Sequence, residues 1–380
     1  MVGLALRIIL HQPLRYGVAL LGISVAAGLA FIQWGLYTGF KENASVIVDN
    51  TEGDIWVCAQ FQKNFDFPKV LDSRVQDIVR STRGVKAAYP MLIDFSQWKL
   101  TKAPHAGAQQ TVQVVGYDVE HGVGRPWRML EGFPEELGEP GAVTVDMTGC
   151  RKLDDVDIGD TTEIGGVKAR VVGLTDGIRS FQGNPMVFTD MDNARSFGHY
   201  GRDAIHYLIV KLEPTADQTA VLSSLRDTGK DEYFEAYTQR EFSKMAQDYW
   251  LKETGAGPAL AMAALMGLIV GVAVAGQVLY TSTLEHLKEY GTLKAIGASN
   301  LQVSGAIVAQ ALVGALPAHL IAGGFLLIAQ HYIGGKGIHL SLSFPTYCLL
   351  GLGTIGVCVA ASMLSVWRVM QVEPAEVFKG

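Results

Sequence analysis

The chain has 380 residues, of which 49% are apolar and only 18% charged, with 43 glycines; an ordinary soluble protein carries about 25% charged residues. The shortage is uneven, because residues 41–257 hold 57 of the 68 charged side chains and the other 163 residues hold 11. That excludes a uniform soluble globule, and the wealth of Ala, Leu, Val and Gly in the charge-poor parts excludes polar disorder.

Between Arg15 and Lys41 lie 25 residues without an acid or base, against the roughly 20 that a membrane-spanning helix needs. The apolar character continues through Phe31, Trp34 and Leu36 with no small-residue cleavage site, so the segment reads as a retained span and not as a signal peptide. Residues 41–257 form a 217-residue insert of mixed α and β character. Strand-like runs occur at 54–59, 111–117, 142–146, 168–174 and 206–212, each bounded by Gly, Pro or Asp. Leu71, Val75, Ile78 and Val79 fit one face of a helix ending near Gly84, and Pro214 opens another that carries Ala220, Val221 and Leu225. Residues 238–254 predict a helix running towards the next span, a rigid mechanical joint to the membrane.

Three further uncharged stretches follow, at 256–284, 295–335 and 340–367, each long enough to cross. The middle one contains Pro317 and predicts a kinked helix near 302–330. Short segments set orientation through their Lys and Arg. Arg7 and Arg15, Lys288 and Lys294, and Arg368 and Lys379 mark one side, and Lys336 alone the other. Both termini and the loop at 284–299 are therefore expected in the cytoplasm, and the insert outside the cell membrane. The expected fold class is an α-helical membrane domain of four transmembrane helices, with a large mixed α+β extracytoplasmic domain inserted between helices 1 and 2. The expected domains are 1–40, 41–257 and 258–380.

The insert carries net charge −9, from 24 bases and 33 acids, with no basic stripe and interleaved aromatics, so no nucleic-acid partner is expected. No cofactor is expected either. The Gly-Gly-Lys-Gly at 334–337 lacks the spacing and the Ser/Thr of a phosphate-binding loop, and His-Glu-x-x-His is absent. The cysteines Cys58, Cys150, Cys348 and Cys358 have no zinc-ligand spacing. Asp154, Asp155, Asp157 and Asp160 read as a solvated turn, because Gly159 stands where a calcium loop needs an oxygen ligand. Cys58 and Cys150 are open to a disulfide or to two buried thiols. The polar groups within the spans are Gln33, Gln277, Gln310 and His319, of which only His319 is ionisable. Gly35 with Gly39, and Gly267 with Gly271, permit close helix approach. With no catalytic constellation, the chain reads as a non-catalytic subunit.

The loop Thr283-Leu284-Glu285-His286-Leu287-Lys288-Glu289-Tyr290-Gly291-Thr292-Leu293-Lys294-Ala295-Ile296-Gly297-Ala298-Ser299 places Leu284, Leu287, Leu293 and Ile296 near one side of a helical projection. By composition, an interfacial connector and a docking surface for a cytoplasmic partner remain open alternatives. Glu289 to Ala298 resemble the signature that follows the second helix of FtsX-like, MacB-type ABC permeases, with His286-Leu287-Lys288 in place of the usual basic pair. The tail Val372-Glu373-Pro374-Ala375-Glu376 resembles the family's C-terminal Asp/Glu-Pro-Ala-Glu. Gln12-Pro13-Leu14-Arg15 and Phe31-Ile32-Gln33-Trp34-Gly35 are closer to the DevC-like exporter branch.

The resemblance implies an inner-membrane permease homodimer coupled to a cytoplasmic ABC ATPase subunit, with a periplasmic adaptor and an outer-membrane duct. It implies export of a lipid, glycolipid, peptide or drug-like substrate. The resemblance also implies that the ATPase is gripped through Glu285, Leu287, Lys288, Glu289, Tyr290, Gly291, Leu293, Lys294, Ala295, Ile296 and Gly297. Leu287, Tyr290 and Ile296 would supply the apolar contact, and the charged residues would orient it. A regulatory scaffold that activates an extracytoplasmic cell-wall hydrolase is the alternative the same resemblance allows.

Overall fold

The computed structural model describes residues 13–178, 180, 182–334 and 340–370. It divides into two compact units, one spanning Phe40–Ala256 and the other formed by residues up to Gly39 and from Gly257 onward.

In chain order the helices are α1 (Pro13–Asn43), α2 (Val46–Asn50), α3 (Arg74–Ser81), α4 (Met147–Cys150), α5 (Met191–Phe197), α6 (Gln218–Glu232), α7 (Gln239–Asp248), α8 (Ala256–Glu285), α9 (Leu287–Ala295), α10 (Asn300–Gly334) and α11 (Phe344–Met370). The strands are β1 (Ile55–Ala59), β2 (Leu71–Asp72), β3 (Val85–Lys99), β4 (Gln109–Tyr117), β5 (Met129–Glu131), β6 (Ala142–Asp146), β7 (Thr161–Ile164), β8 (Val167–Thr175), β9 (Met186–Asp190), β10 (Ala204–Ile205), β11 (Tyr207–Leu212) and β12 (Phe234–Thr238).

The unit Phe40–Ala256 is built on one sheet in the order β12-β1-β11-β3-β4-β9-β6-β8-β5, with β7 bridging β3 and β8. Most pairs are antiparallel, and β4 with β9 and β6 with β8 are parallel. Successive side chains on a strand point to opposite faces, and here both faces are covered. On β1, Ile55 and Val57 join a core with Val75 and Val79 of α3 and Val221 and Leu225 of α6. Trp56 and Cys58, between them, face Ile47 and Val48 of α2 and Phe242 and Ala246 of α7. Every residue of β1 is therefore buried. On the second face the rings of Trp56 and Phe242 stack at 5.3 Å, and those of Phe65 and Tyr207 at 5.2 Å.

These two faces also settle the cysteines of this unit. Cys150 lies in the core of the first face and Cys58 in that of the second, and both are free thiols. The acidic run is a turn whose charges are answered locally. Asp154 bonds His105 Nδ1 at 2.9 Å and Asp160 pairs with Lys102 at 2.8 Å.

The helix predicted over 238–254 is present, as α7 continued directly by a π turn, and it ends in a break before α8. Thr238 caps α7 through a reciprocal capping box with Glu241, the segment Tyr249–Glu253 winds into a wider π turn, and Gly255 has φ +77°. A left-handed residue ends a helix, and glycine adopts it without a Cβ penalty. The connection to α8 is thus jointed.

In the other unit, α1, α8 and α10 each contain a stretch long and apolar enough to cross a membrane, at Leu20–Asn43, Ala256–Val274 and Asn300–Tyr332; α11 has a shorter one, Phe344–Ala360. Ala311, Ala315, Ala318 and Ala322 are fully buried on α10. They form a small-residue stripe that lets Ile23, Ala27 and Phe31 of α1 pack closely. Helix α10 continues through Pro317. Of the paired glycines, a Cβ on Gly35 would meet Leu340 and one on Gly271 would meet Ala26, each at 3.4 Å, whereas one on Gly267 would meet nothing within 4 Å. His319 packs as an aromatic plate, its ring 5.2 Å from Phe31 and 4.3 Å from Tyr347.

Two stability predictions follow from the sheet. The fully buried Asp146 carboxylate accepts from Thr148 N at 2.9 Å, Thr175 Oγ1 at 2.9 Å and Ile178 N at 2.8 Å. Asp146→Ala strands these donors and should cost about 3 kcal/mol, read as a lower urea midpoint. His206 is 1% exposed, accepts from Ile93 N through Nδ1, and is held neutral by burial, which pushes its pKa down to about 4. The unfolded imidazole takes up a proton first, near pH 6.5, so about 3 kcal/mol of stability is lost as pH falls from about 6.5 to 4. His206→Gln should flatten that part of the stability profile measured by urea titration at each pH.

Candidate functional site

The most informative sequence segment folds as a short helix between two tight breaks. Helix α8 ends at Glu285, and His286 steps out of helical geometry at φ −98°, ψ 14° to precede α9. Its imidazole is nearly buried and its Nδ1 lies 2.9 Å from Glu289 Oε2. Glu289 is thereby held in the first turn of α9, where a carboxylate complements the helix dipole. His286, standing in the family's basic pair, serves this helix start.

At the other end, Gly297 has φ +103°. Ala298 N donates to Leu293 O at 2.9 Å and Gly297 N to Lys294 O at 3.0 Å, the paired bonds of a Schellman stop. Only glycine takes this backbone without strain, although the space around it is open. The next helix begins at Asn300, after two intervening residues. Ser299 Oγ accepts from Gln302 N at 3.3 Å, and Gln302 Oε1 accepts from Ser299 N at 2.9 Å. This is a capping box, and the Ser-x-x-Gln spacing is its sequence signal.

Between these stops, one side of α9 is anchored. Tyr290 is 1% exposed and packs with Val303, Ala306 and Ile307 of α10, while Leu287, Leu293, Ala298 and Val366 flank it. Burial and the neighbouring Glu289 charge push its phenol up to about 12, so it stays neutral. Gly291 is buried beside it. The expected set of apolar contacts for a partner is therefore divided. Tyr290 and Leu287 are turned inward because their spacing matches the side that meets α10. Ile296 remains 80% exposed, and Leu301, which the sequence reading left out, is 85% exposed. Glu285, Glu289, Thr292, Ala295 and Gly297 are also exposed. Lys294 is partly covered, its Nζ 3.4 Å from Met370 O. Lys288 is on α9, with its side chain outside the described residues, as are Arg7, Gln12, Lys336, Lys379 and the tail motif at 372–376.

The arrangement is a surface knob: nine helical residues, fixed by hydrogen bonds at both ends and by one aromatic anchor, with apolar side chains left outside. Among the described residues no group of three or more His, Cys, Asp or Glu is placed to hold a metal ion.

Comparison with known proteins matches two parts of the chain. Residues 17–228 match the MacB-like periplasmic core domain and residues 261–374 the FtsX-like permease C-terminal domain. An ABC transporter permease of Mycobacterium tuberculosis is 26% identical over 385 residues, covering 100% of both chains. One of Mycobacterium bovis is 24% identical over 391 residues, again with 100% coverage of each. Among solved structures, the periplasmic region of MacB from Actinobacillus actinomycetemcomitans aligns with 53% of this chain and 98% of its own at TM-score 0.40 and 11% identity. With more than half of its length matched by the periplasmic core and most of the remainder by the permease domain, the chain belongs to the MacB/FtsX-like permease family.

Proposed function

We propose that this chain is the membrane subunit of an ABC exporter and that α9 is the part a separate cytoplasmic ATPase grips. The observation that carries the reading is the exposure of Ile296 and Leu301 at the turn between α9 and α10, beside a helix anchored by Tyr290. Exposed aliphatic side chains on a rigid, polar-rimmed projection suit a groove on a partner. A sequence without a phosphate-binding loop takes its free energy from a partner that has one. The relatives bear the description ABC transporter permease, which supports an ATPase as that partner.

In this reading α1, α8, α10 and α11 are four inner-membrane spans, with both termini and α9 in the cytoplasm and residues 41–257 inserted outside between the first two spans. Closure of the ATPase pushes α9. Because Tyr290 ties α9 to α10, and Val366 of α11 shares that cluster, the push reaches two spans together. On the outer side the extracytoplasmic unit is linked twice, by the continuous helix α1 and by the segment that breaks at Gly255. The working unit is a permease homodimer, and a DevC-like assembly adds a periplasmic adaptor and an outer-membrane duct for a lipid, glycolipid, peptide or drug-like substrate. Glu285, Lys288, Glu289 and Lys294 steer the approach of the ATPase.

Co-reconstitution with the ATPase in liposomes gives two tests. Ile296→Asp should leave folding intact and weaken permease-dependent stimulation of ATP hydrolysis by about ten-fold, the loss of roughly 1.4 kcal/mol of contact; stimulation equal to wild type would remove α9 as the grip. Gly297→Ala should cost about 1–2 kcal/mol through backbone strain alone and lower stimulation several-fold. Gly305→Ala, in the interior of α10 with nothing within 4 Å, should be neutral in the same assay.

A further inference from the structure

The loop at 61–70 has an alternating pattern that the sheet does not require. Gln62, Asn64, Phe65 and Asp66 are buried, while Phe61 is 68%, Phe67 47% and Val70 56% exposed, and Lys63 and Lys69 are exposed between them. The buried residues hold the loop in one shape. Gln62 Nε2 donates to Phe67 O at 3.0 Å, Gln62 Oε1 accepts from Lys69 N at 3.0 Å, and Asn64 Oδ1 accepts from Phe67 N at 2.7 Å. An internally bonded loop that keeps three large apolar side chains outside forgoes the stabilisation that their burial would bring.

Its position identifies the partner. The loop is bonded to the segment just before α8: Trp250 Nε1 donates to Asp66 Oδ2 at 2.8 Å, and the Phe67 and Trp250 rings lie 6.0 Å apart. Trp250 stands six residues before Ala256, where the candidate span begins, and most of those residues are coiled in the π turn, so about 10 Å of chain separates them. The other connection leaves from the same end of the unit. Ser45, two residues beyond the candidate span Leu20–Asn43, accepts from Gln247 Nε2 at 2.8 Å. Strand β1 runs towards this end and delivers Gln60 to it, and Gln60 N donates to the carbonyl of Tyr233, a residue 72% exposed. The opposite end of β1 is marked by Gln218, whose Nε2 donates to Asp54 O at 2.8 Å.

We propose that the loop at 61–70 is a membrane-surface anchor, with Phe61, Phe67 and Val70 inserted among the lipid headgroups of the outer leaflet and Lys63 and Lys69 at the phosphate level. The headgroup region extends about 5–8 Å beyond the hydrocarbon on each side, so two tethers of this length hold the end of the domain that carries the loop beside it. Aromatic and basic residues are what that region selects.

The proposal rests on α8 being a membrane span, and the test keeps the two claims apart. In a Cys348→Ser background, in which Cys58, Cys150 and Cys358 are buried, single cysteines at Phe61, Val70, Gln218 and Met266 are labelled with bimane. The full chain is then reconstituted in phosphatidylcholine–phosphatidylglycerol vesicles with or without a shallow doxyl-lipid quencher. Met266, 57% exposed on α8 and about 15 Å beyond the start of the candidate span, is the span control, read in parallel vesicles with a doxyl group deep in the acyl chain. Labels at 61 and 70 should lose about half their fluorescence to the doxyl lipid and be shielded from iodide, as an interfacial depth requires, while the label at 218 shows the reverse. Iodide quenching at 61 and 70 equal to that at 218 overturns the anchor. So does shielding from iodide without lipid quenching, which signifies a second copy or a partner protein over the loop. Failure of the deep doxyl lipid to quench at 266 overturns the span itself.

Discussion

The burial of Tyr290 against Val303, Ala306 and Ile307 gives a nine-residue helix mechanical meaning. A helix this short is marginal in isolation, and α9 owes its persistence to this contact and to the hydrogen-bonded stops at His286 and Gly297. Removing a buried aromatic side chain costs about 3–5 kcal/mol, which is large beside the few tenths that helix propensity supplies. Force applied to the exposed side of α9 therefore moves the helices beneath it before it unfolds the loop.

The structure separates the side chains that hold α9 in place from those left outside. Residues that look equivalent in the sequence, Leu287, Tyr290, Leu293 and Ile296, are all apolar and all within the family-like segment, yet the first three face the chain's own helices and Ile296 faces out. The difference lies in the break at Ile296–Gly297, where the backbone leaves the helix and carries the side chain away from the packed side. Periodicity assumes that the helix continues, so it groups Ile296 with the anchors. Leu301 was missed for the opposite reason: it reads as part of an apolar span, and only the capping box at Ser299 shows that it stands on the first turn of a new helix at the rim.

Much of the extracytoplasmic unit was legible, and two of its omissions have physical causes. The runs at 54–59, 142–146 and 206–212 contain β1, β6 and β11 because their branched and aromatic residues have no other good use. The 15-residue strand β3 was passed over, since Pro90, Asp94, Ser96 and Gln97 interrupt its pattern. Its long path pairs with β11 over one part and with β4 over another, so pairing on both sides compensates for a weak local preference. The joint at Gly255 was equally hidden. Its neighbours form helices on either side, and a single left-handed glycine leaves no trace in hydrophobic periodicity.

The proposed coupling requires α9 and the unit Phe40–Ala256 to lie on opposite sides of the membrane. The most direct measurement is the sidedness of single cysteines at Ile296 and Gln218, in a Cys348→Ser background, towards a membrane-impermeant maleimide in spheroplasts and in inside-out vesicles. The account predicts labelling of Gln218→Cys only in spheroplasts and of Ile296→Cys only in inside-out vesicles; labelling of both from the same side would contradict it.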